Sequence, residues 1–185
     1  MLVRQLFELA CTPFELCAFQ NRWERFGWKY EPSAGDEFGF WVKVSDDLSM
    51  MVNPLGNQIG WATLPFYYWE NYELELGDTT IDYERGRESY RAEFEAAEEL
   101  TQRILSPPAL RWRDADQEAH EAMVWAGQHG LMILQQAGFD LQYGMELNFW
   151  LERCTMEDFT PETPLIDWLS ARNRKLHNEH GFPPL

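Results

Sequence analysis

The segment Asp82–Leu105 constrains the fold more than any other part of the chain. Tyr83, Tyr90, Phe94, Ala97, Thr101 and Ile104 recur along one stripe at helical spacing, and Ser106-Pro107-Pro108 ends the pattern. A helix with one apolar stripe must lie on an apolar surface. The sequence on either side supplies that surface as strands. Before the helix, Phe38–Val44, Leu48–Asn53 and Gln58–Thr63 are aromatic and β-branched. Turns at Ser45-Asp46-Asp47 and Asn53–Asn57 separate them, which predicts a three-stranded meander. After it, Ala122–Ala126, Leu131–Gln136 and Met145–Glu152 form a second group, although Glu118–Ala126 also fits a helix.

Two further helices are predicted at the ends. Thr12-Pro13-Phe14-Glu15 has the capping residue, the first-turn proline and the acid of a helix start, and Gly27 stops the helix they open. Cys17 falls on the apolar side of that helix with Phe14, Phe19, Trp23 and Phe26. Thr163-Pro164 opens a C-terminal helix. Between the meander and the long helix, Leu64–Trp69 reads as an aromatic connection and Tyr72–Leu76 as a short strand with one acidic face. The expectation is an α+β fold of order α-βββ-(β)-α-βββ-α. It has one mostly antiparallel sheet of about six strands, with helices packed on it, as one domain over residues 1–185.

Composition narrows the function classes. Lys and Arg number 15 against 31 Asp and Glu, for a net charge of −16. Such a surface repels phosphate backbones and anionic lipid, so no nucleic-acid partner is expected. Arg172, Arg174 and Lys175 read as helix-end cations. No apolar run approaches the roughly 20 residues of a membrane span. Three cysteines, Cys11, Cys17 and Cys154, cannot all pair within one chain, and no CxxC occurs, which suits a reducing, cytoplasmic setting.

Motifs for chemistry are sparse. His120-Glu121 lacks a second histidine at the metal-binding spacing, where Val124 stands, and His177 and His180 are read as solvated. There is no nucleophile elbow, phosphate loop or dinucleotide fingerprint, so neither cofactor nor metal is expected and no catalytic residue is assigned. The catalytic alternative is a hydrolase or carbohydrate-binding module. It would combine acids such as Asp46-Asp47, Asp114/Asp116 or Asp140/Glu146 with Trp41, Trp61, Trp112 or Trp150 as stacking platforms.

The acidic segment is more specific. Between Glu70 and Glu99 eleven carboxylates stand against three arginines, which is half the net charge of the chain. Glu93 and Glu98 have no helical ion-pair partner by spacing, and Glu95 and Glu99 repel. This pattern serves a solvated face and a charged edge strand that blocks aggregation. It also serves as a docking surface for a basic protein, with aromatic anchors beside it. The candidate partner-binding residues are Glu70, Glu73, Glu75, Asp78, Glu93 and Glu98, with Tyr67, Tyr68 and Trp69.

In element order and acidity the chain resembles two groups of small bacterial proteins, the secretion chaperones and the immunity proteins of toxin systems. The order runs from a helix (Pro13–Phe26) through three strands (Phe38–Thr63) to a helix (Asp82–Leu105), strands and a C-terminal helix. The chaperone resemblance implies a homodimer that holds partly unfolded clients. The immunity resemblance implies neutralisation of a basic toxin by binding. Both imply a non-enzymatic protein-binding domain with a basic partner.

Overall fold

Two helices, not one, precede the first strand. The computed structural model describes residues 1–31, 39–70, 83–113, 121–140 and 144–159, together with 171, 172 and 175. Helix α1 (Leu2–Ala10) buries Val3, Leu6, Leu9 and Ala10, and α2 (Leu16–Arg25) buries Phe19 and Trp23. Thr12 does not cap the second helix. Its hydroxyl donates to the Glu8 carbonyl at 2.8 Å and so closes α1, while Pro13 separates the two. At the other end of α2, Gly27 adopts φ +81°, the left-handed conformation that ends a helix, as the sequence predicts.

Four strands come next: β1 (Lys29–Glu31), β2 (Phe40–Lys43), β3 (Ser49–Leu55) and β4 (Gln58–Glu70). Helix α3 (Tyr83–Leu105) then leads to β5 (Leu110–Arg113), β6 (Glu121–Ala126), β7 (Leu131–Asp140) and β8 (Gly144–Glu152). All eight pair antiparallel in the order β1-β2-β3-β4-β8-β7-β6-β5. Two four-stranded meanders of the same connectivity therefore meet along β4 and β8. The α+β class holds, with a sheet larger than the expected six strands. The two additions, β1 and β5, are edge strands of three and four residues, too short for alternation to register. Glu118–Ala126 resolves as strand from Glu121 onward.

The segment Leu64–Trp69 is not a connection. It belongs to the 13-residue β4, which pairs with β8 from Trp61↔Glu152 to Glu70↔Gly144. Its register shifts between Pro65 and Tyr67. Proline has no N–H for the ladder, and a central strand tolerates it at such a bulge. The extra residue resets the alternation, so Phe66 and Tyr67 both pack on the helix side while Tyr68 points to the other.

The helices cover one face of the sheet. Val42, Met50, Val52, Ala62, Leu64, Met123, Trp125, Met132, Leu134, Leu147, Phe149 and Leu151 point there, against Leu6, Leu9, Phe19, Tyr90 and Phe94. On the opposite face a smaller apolar cluster, Ala122, Val124, Leu131 and Ile133, sits under Cys154 and Phe159. Residues 171, 172 and 175 are helical, and the rest of the expected C-terminal helix lies outside the described residues. Among the described residues no helix is long and apolar enough to cross a membrane.

Candidate functional site

Where β4 and β8 meet, the face away from the helices is polar and aromatic. Alternation along β8 places Glu146, Asn148, Trp150 and Glu152 on it, opposite Tyr68, Pro65, Thr63 and Trp61 of β4. Gln135 of β7 extends the row beyond Asn148, and Met51 of β3 lies beyond Thr63. Trp61 and Trp150 stack, with ring centroids 4.7 Å apart and planes 25° from parallel.

Several polar groups here are buried. Asn148 is 3% exposed and Thr63 7%, yet Trp61 Nε1, Thr63 Oγ1 and Asn148 Oδ1 have no hydrogen-bond partner among the described residues. Buried polar atoms are almost always paired, so three orphans on one patch of sheet mark it as unusual.

At one end of the patch Glu152 is fully buried. Trp150 Nε1 donates to its Oε2 at 2.9 Å and Arg172 Nε to its Oε1 at 2.9 Å, while Arg172 Nη2 reaches the Arg153 carbonyl at 2.5 Å. Burial pushes the Glu152 carboxyl up to about 7, against the opposing pull of Trp150 and Arg172. Burial, and then the charge of Glu152, raise the adjacent Cys154 thiol, which therefore stays protonated. At the other end Glu146 is half-buried. Asn148 Nδ2 donates to its Oε1 at 2.7 Å, and burial raises its carboxyl despite that bond. Six steps along the strand separate the two acids, about 20 Å. Glycosidic carboxylate pairs stand about 5–9.5 Å apart, so these two cannot act together on one bond.

The acidic residues predicted from sequence fall elsewhere. Glu73, Glu75 and Asp78 lie outside the described residues. Trp69 and Glu70 end β4, and their side chains lie outside them too. Glu93 is exposed on α3. Glu98 is not free: Arg111 binds both its carboxylate oxygens at 3.2 Å and also reaches Glu121 at 2.5 Å, and Gln102 donates to Glu98 at 2.7 Å. This network ties α3 to β5 and β6. Glu95 and Glu99, expected to repel, pair instead with Arg91 and Arg103. Tyr67 and Tyr68 do not converge. Tyr67 faces α3, with its hydroxyl 2.9 Å from Ser89 Oγ, whereas Tyr68 is 54% exposed on the polar face.

Other expectations move as well. Cys17 is exposed on α2 rather than buried, because Phe19 and Trp23 set the inward side of that helix. Arg172 belongs to the buried pair with Glu152. None of the described tryptophans is among the exposed large apolar residues, and those expected inside strands, Trp41 and Trp150, are half-buried there. Glu146, Trp61 and Trp150 are named from sequence as parts of a carboxylate–tryptophan cleft, but Asn148 and Thr63, which share their face, escape sequence reasoning. The signal for Asn148 is the alternation from Glu146 to Glu152, in which every second residue is polar or Trp.

Comparison with protein-family models, with curated proteins and with solved structures returned no match.

Proposed function

We propose that this chain is a non-enzymatic protein-binding domain whose partner is basic, in the manner of immunity proteins or secretion chaperones, and that it works in a reducing compartment. The observation that carries this reading is the outer face of α3. Ala92, Ala96 and Leu100 recur every four residues along it, and Leu100 is 48% exposed. At 3.6 residues per turn, Glu93 flanks this strip on one side and Glu88, Glu95 and Glu99 on the other. Glu88 and Glu93 make no ion pair with a described residue, so part of that charge is available to a partner. An apolar strip between acidic rails suits a cationic, amphipathic surface, and the charge accelerates encounter.

The test is capture of partners from the native host on immobilised protein, at low and moderate salt. Basic proteins should be retained, released as salt rises, and lost in the Glu88→Lys/Glu93→Lys double variant. Retention that ignores both salt and the two substitutions would overturn the reading.

A further inference from the structure

The seam between β4 and β8 holds a carboxylate that no cation of the described residues reaches. Glu146 is half-buried, and the hydrogen bond it accepts there comes from Asn148 Nδ2. That bond fixes the Asn148 amide: turned over, it would set its oxygen against the carboxylate, two acceptors facing each other. The oxygen is thus directed away from Glu146, buried and without a donor among the described residues. Thr63 Oγ1, one diagonal step along the same face, is also unpartnered among them. Tyr68 stands directly across from Glu146, with its ring exposed. A negative group, fixed by Asn148, and an aromatic face thereby stand side by side, at the margin where the sheet reaches solvent.

We propose that Glu146, its carboxylate positioned by Asn148, and Tyr68 seat the guanidinium of an arginine carried by the basic partner. A guanidinium offers a planar fork of donors that matches the carboxylate, and its face stacks on a tyrosine ring. One carboxylate and two neutral oxygens fall short of the six or more ligands that a hard divalent cation takes. A lysine ammonium satisfies the charge but forms no flat contact with Tyr68. The inference rests on the basic-partner reading above and adds the residue type that is recognised and the place where it enters.

The probe is a capped nonapeptide with three arginines in a glycine–serine background. Two further versions carry citrulline, which has the same shape without the charge, or lysine. Binding is monitored by NMR at the Asn148 side-chain amide and the Tyr68 ring. The arginine peptide should move both signals and bind about tenfold more tightly than either other version. Glu146→Gln, close to isosteric, should remove that advantage. Tyr68→Leu, at an exposed position, should weaken binding several-fold with the fold intact.

Equal binding of the citrulline or lysine version overturns the proposal. So do shifts confined to α3, which would leave the proposed function standing. Shifts at the seat that persist in the Glu88→Lys/Glu93→Lys variant support the seat as a site separate from α3. Binding of the native partner unaffected by Glu146→Gln removes the seat alone.

Discussion

The two faces of the β4–β8 pair are made by alternate residues of the same strands, and they obey opposite rules. Toward the helices stand Ala62, Leu64, Leu147, Phe149 and Leu151, all buried in the main apolar cluster. Away from them stand Trp61, Thr63, Asn148, Trp150 and Glu152, buried or half-buried and rich in hydrogen-bonding atoms. Each fully buried large apolar side chain on the first face contributes about 1.5–3 kcal/mol of transfer free energy. On the second face an unpaired polar atom costs about 1–3 kcal/mol. The first face thus holds the sheet to its helices, and the second gives up stability to keep polar groups in place. Such a trade is the usual mark of a surface retained for recognition.

The sharpest test of that contrast is a deletion on the helix side. Phe149→Ala removes a ring that packs on Phe66, with centroids 5.2 Å apart, and should cost about 3–5 kcal/mol in urea unfolding. A loss below about 1 kcal/mol would mean that the helix face is not the main store of stability.

The second test uses pH. An ordinary glutamate carboxyl titrates near 4.5, and folding raises Glu152 to about 7. Between those values the folded chain keeps a proton that the unfolded chain releases. Stability should therefore fall as pH rises from about 4.5 to about 7, by up to about 3 kcal/mol, and then level off. Glu146 is shifted in the same direction and adds to the slope. Glu152→Gln should flatten most of the decline in a series of denaturant curves. Stability that instead rises through this window, in the wild-type chain, would mean that Arg172 holds the carboxylate ionised.

The same contrast explains what is legible in the sequence. Helix α3 can be read to within one residue, because Tyr90, Phe94, Ala97, Thr101 and Ile104 give an uninterrupted 3.6-residue period. The run Leu64–Trp69 reads as a connection because it alternates in neither phase. Large side chains stand on both faces of this run, and the bulge after Pro65 shifts the phase midway. Likewise β7, expected to end at Gln136, continues across Gly138 to Asp140, with a second register shift between Gly138 and Asp140. The acid-rich segment is visible by counting, but counting does not reveal that Arg111, on β5, occupies Glu98. Nor does it find the seat at Glu146. That seat depends on Tyr68 meeting Glu146 across the sheet, a register that joins two strands with α3 and three other strands between them in the chain.

The smallest effect expected is the most diagnostic, because its sign separates the two faces. Thr63 is 7% exposed and its hydroxyl has no partner among the described residues. Thr63→Val keeps the branched shape, suits a strand, and replaces the hydroxyl with a methyl group. On an ordinary sheet face, where a threonine hydroxyl is bonded, this change costs stability, since it breaks a hydrogen bond. Here nothing is broken, and an uncompensated desolvation is removed. The variant should unfold at a higher urea midpoint with an unchanged slope, a gain of up to about 1 kcal/mol. The same substitution should weaken the arginine peptide if Thr63 borders its seat. A gain in stability together with a loss in binding would show that the hydroxyl is kept for recognition. A loss of stability would show that it is bonded within the fold.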